Sequence, residues 1–446
     1  MGFITDKQTL DDLGILGKHG NESVFSIFNR TATGGGAVLL EEMFTYPLSG
    51  ADAINERINI IRTFALQKIC FPFSAELFGL VEHYLENRDE RSKLTHEENT
   101  ITKKISHLIS SDAEYKLLHK GVTSLREILI DLWNFLQTVH LDNSHGYAKE
   151  GETLIAVLDE EPFHTLVRQK KGGKISFDQI AEYDTAFRFK RRHVIKEVLR
   201  FIYHIDVYAA VAKVAGERQL CFPVAMPGSA HGLSLQQAYH PLLKKPTANT
   251  VEVKPGRNMV FLTGANMAGK STFMKTLGIA VFLAHAGFPV PAKAMEFSVM
   301  DGLFTTINLS DNLASGASHF YAEVLRVKKV AKELNASKNL FIIFDELFRG
   351  TNVKDAYEAT VAIISAFAKK STSLFVISTH IIEAGEVLQS TANIQFLYLP
   401  TRMNGTVPEY TYTLESGITN DRHGMIIIQN EGILNILRPC KKQSVL

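Results

Sequence analysis

A segment in the second half of the chain has the residue spacing of a phosphate-binding loop. Residues 264–272 read GANMAGKST and fit the pattern G-x-x-x-x-G-K-[ST]. An apolar run over 259–263 precedes the segment, and a helix candidate over 270–285 follows it. In a strand–loop–helix unit of this kind, backbone N–H groups and the helix N-terminus face a bound phosphate. The residues predicted to bind a nucleotide are Gly264, Ala265, Asn266, Met267, Ala268, Gly269, Lys270, Ser271 and Thr272.

Two side chains of this segment have predicted roles of their own. The ammonium group of Lys270 should reach the β- and γ-phosphates, because a fixed positive charge there neutralises the phosphoryl group that is transferred. The Ser271 hydroxyl should ligate Mg²⁺, which bridges the same phosphates. The sequence therefore predicts ATP and Mg²⁺ as the cofactors of this site.

Two adjacent carboxylates complete the predicted site. The apolar run LFIIF over 340–344 indicates a buried strand, and Asp345 and Glu346 follow it directly. Adjacent acids at a strand end are often no more than solvated groups. In an open α/β sheet, however, ligands bind at the carboxyl ends of the strands. We therefore predict that Asp345 holds Mg²⁺, directly or through water, and that Glu346 polarises the attacking water as the general base.

A histidine follows a third apolar run. Residues 374–378 indicate another strand, which leads into Thr379 and His380. A lone histidine usually has a structural role. Because this one comes after a strand of the sheet that carries both nucleotide motifs, we predict that His380 senses the γ-phosphate.

The elements that must position these residues divide the chain into two parts. Apolar side chains recur at helical spacing over 77–85, 125–136 and 194–205, which indicates helices with one buried face. After 224–229 the pattern changes to short apolar runs that alternate with helical stretches. Such alternation is typical of an α/β domain with a largely parallel sheet.

These patterns predict an α+β multidomain protein. Residues 1–226 should form an all-helical domain, and residues 227–446 should form an α/β ATPase domain of the P-loop, ABC type. Two late apolar runs, Ile394–Leu399 and Tyr410–Leu414, flank Asn404-Gly405. They predict an antiparallel hairpin at the sheet edge.

Composition and charge favour a soluble protein and leave its partner open. Of the 446 residues, 45% are apolar and 21% are charged, and the net charge of +1 creates no overall basic field that would require nucleic acid. Three cysteines indicate neither a disulfide framework nor a zinc site. The N-terminus lacks a signal-peptide pattern, and the most apolar long stretch, 277–290, is too short to span a bilayer. We expect a cytoplasmic protein with no membrane partner.

Two local basic clusters are candidate contacts for nucleic acid. The first contains Lys170, Lys171 and Lys174. The members of the second are Arg188, Lys190, Arg191 and Arg192. A solvated helix face explains either cluster equally well.

Taken together, these motifs resemble the MutS family of DNA-repair ATPases. The predicted phosphate loop is similar to the family pattern G-P-N-M-G-G-K-S-T, and 345–351 is similar to D-E-I-G-R-G-T. Residues 311–320 with Glu323 resemble D-D-L-A-S-G-x-S-T-F-x-x-E-M, and 378–380 resemble A-T-H. In the first half, residues 28–57 follow the family's L-x-R-T-x-T…G…L-L…P-L…I…R pattern. Shorter matches lie at 239–242 and 423–424.

The resemblance implies a site that two subunits build together. It implies a helical core and lever domain followed by the ATPase domain, and a head-to-head homodimer with two composite ATP sites. In such sites Ser315, Gly316 and Ser318 form a signature that acts in trans. Ser318 would then reach the γ-phosphate held by the loop of the other subunit.

Several residues depart from the family patterns, and four of these departures concern the predicted site most directly. Phe348 stands where the family has glycine, and His319 stands where it has threonine. Ala265 replaces proline and Ala268 replaces glycine in the predicted phosphate loop. None of the four removes the lysine, the Mg²⁺ ligands or the base. The first two bear on signalling between subunits.

The resemblance implies a DNA-dependent ATPase in which hydrolysis drives conformational switching of a dimer on DNA, as in mismatch repair. The core pattern starts near residue 10, with no room before it for the family's mismatch-reading and connector domains, so direct mismatch recognition is not expected. One alternative is a member of this family that acts on RNA, the ribosome or branched DNA. The other is a different ABC-type ATPase. Transporter subunits usually carry L-S-G-G-Q, which is absent, and the two nucleotide motifs lie too close together for an SMC-type insertion.

Overall fold

The chain begins with helices and continues with strands that alternate with helices. The computed structural model describes residues 2–17, 22–93, 111–139, 146–307, 319–348, 350–404, 407–419, 428 and 432–437. The α-helices before the first strand are α1 Lys7–Leu13, α2 Val24–Phe28, α3 Gly34–Thr45, α4 Ala51–Gln67, α5 Glu76–Glu86, α6 Ser111–Thr138, α7 Gly146–Leu158, α8 Phe163–Val167, α9 Phe177–Asp184 and α10 Arg192–Arg218.

Strands enter the fold after α10. They are β1 Val224–Met226, β2 Leu233–Ala238, β3 Asn249–Val253, β4 Met259–Gly264, β5 Ala294–Ser298, β6 Gly302–Thr306, β7 Leu340–Phe344, β8 Leu374–Ser378, β9 Ile394–Leu399, β10 Thr401–Asn404, β11 Val407–Tyr410 and β12 Glu415–Ser416. The helices of this part are α11 Lys270–His285, α12 His319–Asn335, α13 Val353–Ala368, α14 Ile382–Leu388 and α15 Ile433–Ile436. The protein is therefore a mixed α and β structure, as predicted.

These elements are divided between two compact units. The sheet unit comprises Met1–Ser26, Tyr46–Ile58 and Arg218–Leu446. The helical unit comprises Ile27–Thr45 and Asn59–Glu217. The sequence predicts a single domain boundary, between 226 and 227. In the structure, two N-terminal segments instead belong with the strands, because they pack against elements of the second half.

The helix faces predicted over 125–136 and 194–205 are buried, whereas in the face predicted over 77–85 Leu80 is 38% exposed and only Val81, Tyr84 and Leu85 are buried. Four apolar residues of α6 and four of α10 have no exposed surface: Leu125, Ile128, Leu129, Leu132, Val198, Phe201, Ile202 and Ile205. Burial of an aliphatic or aromatic side chain of this size contributes roughly 1.5–3 kcal/mol. These stripes therefore hold the helical unit together. Among the described residues, no helix combines the length and apolar character that a membrane span requires.

A buried carboxylate of α10 caps the N-terminus of α3 within the helical unit. Asp206 is 1% exposed and accepts hydrogen bonds from the backbone N–H groups of Ala32 and Thr33, both at 2.8 Å. It also accepts from the Thr33 hydroxyl at 2.7 Å, and that hydroxyl accepts from Gly36 N at 2.9 Å. A negative charge is stabilised where unpaired helix N–H groups converge. The early R-T-x-T match therefore marks a helix start that a distant aspartate fixes.

The second basic cluster is partly buried and does not offer all its charges to nucleic acid. The Arg188 side chain is 0% exposed and pairs with Asp184, with Nε and Oδ1 2.6 Å apart. The guanidinium also lies 5.5 Å from the centre of the Tyr84 ring. A buried arginine in such a pair cannot reach a phosphate. As a nucleic-acid contact, Arg188 was therefore predicted wrongly, because the spacing to Asp184, four positions earlier, does not show that the pair is buried.

The strands form two larger sheets and a separate hairpin. The six-stranded sheet has the order β12-β9-β4-β8-β7-β6, and the neighbours from β9 to β6 run parallel. The four-stranded sheet has the order β1-β5-β2-β3. Residues of β4, β7 and β8 are buried throughout except at Gly264. Because parallel strands end at the same edge, the residues that follow β4, β7 and β8 meet there.

The predicted hairpin exists but is built from other residues. Thr401–Asn404 pairs antiparallel with Val407–Tyr410 in its own two-stranded sheet. Ile394–Leu399, the first arm in the prediction, instead runs parallel to β4. Its antiparallel neighbour is the short strand Glu415–Ser416. The apolar run was correctly assigned to a strand, but pairing depends on long-range contacts that the run itself does not encode.

The N-terminal segment covers β6, the edge strand of the six-stranded sheet. Ile4 N donates to Asp301 O at 2.8 Å, and Leu303 N donates to Ile4 O at 2.9 Å, in a parallel bridge. In α1, the carboxylate of Asp12 accepts from the Thr305 hydroxyl at 2.8 Å and from Ile307 N at 2.9 Å. The edge of the sheet is therefore paired and capped by residues 2–17.

One histidine is buried in its neutral form at the end of α11. His285 is 0% exposed, Nε2 accepts from Met300 N at 3.0 Å, and Nδ1 lies 2.8 Å from Val281 O, to which it donates. Burial lowers the pKa of His285 to about 4, although its backbone hydrogen bonds and the charge of Asp301 act in the opposite direction. A proton on Nε2 would break the Met300 contact.

We expect this histidine to destabilise the protein in mild acid. Its folded pKa, about 4, lies below the unfolded value of 6.5, so the unfolded chain binds the proton more readily. The stability it contributes is complete above pH 6.5 and falls as the pH drops from 6.5 towards 4, by about 3 kcal/mol in all. Urea unfolding between pH 7.5 and 4.5 measures this loss. The free energy of unfolding should depend less steeply on pH in His285→Gln. A replacement of the exposed His83 by Gln should leave this pH dependence unchanged. Equal slopes in all three proteins would contradict the assignment.

Candidate nucleotide-binding site

The predicted phosphate loop is a tight turn between a strand and a helix. β4 ends at Gly264 and α11 begins at Lys270. The φ angles are 150° at Gly264, 69° at Met267 and 101° at Gly269. Positive φ angles such as these favour glycine, because residues with a side chain rarely adopt them. At Gly269 an added Cβ would also lie 3.0 Å from Cδ1 of Tyr412, so both conformation and space require glycine there.

The two alanine departures fit this turn. Neither Ala265 nor Ala268 has a positive φ angle. Ala268 is 1% exposed, so its methyl group is already accommodated by the surrounding residues. The glycine of the family pattern is therefore not needed at position 268 of this chain.

The Lys270 ammonium lies at the mouth of the loop. Its Nζ donates to Gly264 O at 2.8 Å and to Ala265 O at 3.2 Å. Burial lowers the pKa of Lys270, and the nearby carboxylates of Asp345 and Glu346 act against that shift. A cation held by two backbone carbonyls can exchange them for phosphate oxygens, which are stronger partners because they are charged.

The two predicted Mg²⁺ ligands are in direct contact. The Ser271 hydroxyl donates to Asp345 Oδ2 at 2.5 Å. Asp345 N donates to Thr306 O at 2.9 Å, which anchors the start of the loop after β7 to the neighbouring strand. The segment after β4 and the segment after β7 therefore bring a hydroxyl and a carboxylate to one point.

This pair of oxygens fits Mg²⁺. Mg²⁺ usually takes one or two protein oxygens and completes its shell with waters and substrate phosphates. In the described part of the chain, no cluster of three or more His, Cys, Asp or Glu side chains forms a metal site of its own. Because Ser271 and Asp345 provide only two oxygens, most of the Mg²⁺ shell would come from water and nucleotide phosphates.

The predicted base and the predicted sensor are hydrogen-bonded to each other. His380 Nε2 lies 2.6 Å from Glu346 Oε1. Their side chains are 41% and 24% exposed, so both can meet solvent and substrate. Glu346 has a φ of 55°, a left-handed conformation that costs a residue with a side chain on the order of 1–2 kcal/mol. Such strain is common at functional positions and here directs the carboxylate towards His380.

The structure shows how phenylalanine fits at position 348, where the family pattern has glycine. The φ of Phe348 is 62°, so the position has the left-handed conformation for which the family's glycine is suited. The side chain is only 3% exposed and packs on Phe320 of α12, with 5.9 Å between ring centres. Burying the ring contributes roughly 1.5–3 kcal/mol, which offsets the backbone cost of about 1–2 kcal/mol. The buried ring therefore compensates for a side chain in a conformation that favours glycine.

A pocket of about 600 Å³ adjoins the loop. Its wall includes His240 and Tyr412 besides residues of the loop, α11 and Glu346. No role for Tyr412 was predicted from the sequence. The only available signal was an aromatic residue in a polar stretch after the hairpin, which is too weak to place it beside Gly269. The pocket provides room for a nucleoside next to the site where phosphates would bind.

Several predicted residues lie outside the described part of the chain. These are Ser315, Gly316 and Ser318 of the trans signature, together with 423–424. The side chain of His319 is likewise outside it. The residues that the structure does bring together are Lys270, Ser271, Asp345, Glu346 and His380.

A comparison with protein families finds a match over the part of the chain that holds this site. The family described as MutS domain V matches residues 260–442, which include β4, the loop, β7 and β8. Domain V is the ATPase domain of MutS proteins, and members of the family are ATPases that use ATP with Mg²⁺. The match covers the nucleotide motifs on which the resemblance depends, and it does not extend to the segments 28–57 and 239–242. Residues 260–442, which hold the candidate nucleotide site, therefore match the ATPase domain of the MutS family.

Proposed function

We propose that this chain binds ATP with Mg²⁺ at the 264–272 loop, hydrolyses it, and uses the cycle to switch a dimer between states on DNA. One observation carries the proposal above all. The Lys270 ammonium, the Ser271–Asp345 pair and the Glu346–His380 pair lie together at the carboxyl edge of the six-stranded sheet. This arrangement provides a cation for the phosphates, oxygens for Mg²⁺ and a base for the attacking water.

Each side chain then has one task in the reaction. Lys270 neutralises the β- and γ-phosphates, and Ser271 and Asp345 hold Mg²⁺, which would balance the phosphate charge when bound. Glu346 accepts the proton of the attacking water. His380 holds the Glu346 carboxylate at 2.6 Å and faces the same solvent, so it is placed to respond to the γ-phosphate. The Tyr412 ring offers an aromatic surface for the nucleobase.

The dimer is part of the proposal. We propose that the sheet unit is a P-loop ATPase domain of the ABC kind. As the resemblance to the MutS family implies, its site would be completed by a signature from a second subunit. In this chain Ser315, Gly316 and Ser318 are the proposed signature, and Ser318 is the residue proposed to reach the partner's γ-phosphate. The composite site links hydrolysis to subunit arrangement, which is what a switch on DNA needs. Such a protein would act in the cytoplasm.

The test is a binding and turnover series with defined nucleic acids. Homoduplex, mismatched, branched and single-stranded DNA and RNA are each added with and without ATP at one stated salt concentration, because phosphate contacts make affinity salt-dependent. We expect DNA to stimulate ATP turnover and ATP to change DNA affinity, with homoduplex and mismatched DNA equivalent. Stimulation by RNA alone would favour the RNA or ribosome alternative. Turnover that no nucleic acid changes would overturn the DNA-dependent switch.

A further inference from the structure

The hydroxyl of Ser378 contacts both acidic positions of the site. Ser378 is the last residue of β8 and is 0% exposed. Its Oγ donates to Asp345 Oδ1 and accepts from Glu346 N at 3.2 Å. The backbone of the same residue receives Leu347 N at its carbonyl, at 3.5 Å. One serine therefore holds the start of the loop that follows β7 through three groups.

The contact with Asp345 fixes the direction of its carboxylate. Oδ1 is occupied by Ser378, so Oδ2 is the oxygen that faces Ser271 at 2.5 Å. A carboxylate held at one oxygen cannot rotate about its Cβ–Cγ bond without breaking that bond to the hydroxyl. The oxygen that would meet a metal is thereby oriented before the metal arrives, which reduces the ordering cost of binding.

The contact with Glu346 supports a strained backbone. Glu346 has a φ of 55°, and its N–H would lack this acceptor without the Ser378 hydroxyl. A residue in a left-handed conformation persists only when its surroundings hold it there. The same hydroxyl thus helps to fix the position from which the Glu346 side chain reaches His380.

We propose that Ser378 is a positioning residue for the Mg²⁺ site, whose hydroxyl orients Asp345 and so lowers the Mg²⁺ concentration at which nucleotide binds. This inference rests on the proposed function. The segment 378–380 resembles the family's A-T-H, in which alanine stands at this position, so the hydroxyl is an addition in this chain. Ser378 does not touch the nucleotide in this scheme; it acts through Asp345.

The same pair of strands contains a matched control. Ser373, directly before β8, is 1% exposed. Its hydroxyl accepts from Leu340 N at 3.0 Å and donates to Lys338 O at 3.3 Å. It therefore links β7 and β8 as Ser378 does, but at the opposite ends of the two strands. Loss of either hydroxyl removes a buried contact between the same strands, and only one of them lies beside Asp345.

The experiment compares Ser378→Ala and Ser373→Ala in the full-length protein. Equilibrium binding of a fluorescent ATP analogue is titrated with Mg²⁺, and thermal unfolding is measured in parallel. We expect Ser378→Ala to raise the half-saturating Mg²⁺ concentration about tenfold, the usual effect of losing a hydrogen bond to a charged group. Binding of the analogue without Mg²⁺ should not change. Ser373→Ala should lower the unfolding temperature and leave the Mg²⁺ dependence as in the wild type.

Two results would overturn the inference. An unchanged Mg²⁺ requirement in Ser378→Ala would show that Asp345 is oriented without the hydroxyl. An equal rise in Ser373→Ala would show that the effect comes from strand stability rather than from positioning. In both cases the wild-type protein still binds the nucleotide with Mg²⁺, so the proposed function stands. A wild-type protein that binds no nucleotide at any Mg²⁺ concentration would instead reject the proposed function itself.

Discussion

Replacement of Glu346 by glutamine should leave ATP bound and slow its hydrolysis by about a hundredfold or more, the range expected when a general base is lost. Glutamine has the same shape, and its side-chain oxygen can still accept the hydrogen bond from His380 that the carboxylate now accepts at 2.6 Å. It cannot take up the proton of the attacking water. The Mg²⁺ ligands are unchanged, so the variant should retain ATP as an uncleaved complex.

A single-turnover quench measures hydrolysis, and filter binding measures retained ATP. Glu386→Gln is the control, because it makes the same chemical change on an exposed residue of α14. It should turn over ATP at the wild-type rate. If Glu346→Gln also hydrolyses ATP normally, the base is another group, and His380 is the next candidate because it shares the contact.

Lys270→Ala should weaken ATP binding by about a hundredfold or more. The ammonium is placed to make charge-assisted contacts to two phosphates, and each is worth roughly 1.5–3 kcal/mol. The carbonyls of Gly264 and Ala265 now accept hydrogen bonds from the ammonium. In the alanine variant they would face the bound phosphates with no cation between them. Calorimetric titration with a non-hydrolysable ATP analogue measures the loss. Lys369→Ala, an exposed lysine after α13, should bind normally. Wild-type affinity in Lys270→Ala would remove the phosphate role of the loop.

The same variant tests the composite site when mixed with Ser318→Ala. Each variant alone should have two defective sites in its dimer. A mixed dimer has one site with both changes and one site with neither, because loop and signature come from different subunits. Partial recovery of ATP turnover is therefore expected once subunit exchange is verified. Exchange without recovery would place Ser318 in its own subunit's site or require both sites to act together.

The strands and the helix that carry the site follow from local sequence. The run before Gly264, the helix from Lys270 and the apolar run before Asp345 have the predicted bounds within a residue, because burial periodicity and glycine turns are local signals. The role of Ser378 was not predictable, since a serine at the end of an apolar strand has no distinguishing pattern. Its importance depends on a partner 33 positions away in sequence.

Contacts between residues that are farther apart along the chain could not be predicted from the sequence. Asp12 and Thr305 are separated by 293 positions, so no window of sequence could assign the N-terminal segment to the sheet unit.

Arg188 was taken for a surface charge because its helical neighbours are basic, whereas its buried carboxylate partner Asp184 decides its environment. Charge clusters in sequence therefore predict exposure less well than apolar spacing predicts burial.

The cover over β6 limits how the protein can be divided experimentally. A fragment cut at residue 227 would keep the predicted ATPase motifs but lose the Ile4 bridge and the Asp12 contacts. The released strand Gly302–Thr306 is buried along its whole length, and it would then present unpaired N–H and C=O groups beside apolar side chains. Such an open edge recruits strands from other molecules. Self-association of that fragment would then come from the unpaired strand edge and would not be evidence for the proposed dimer.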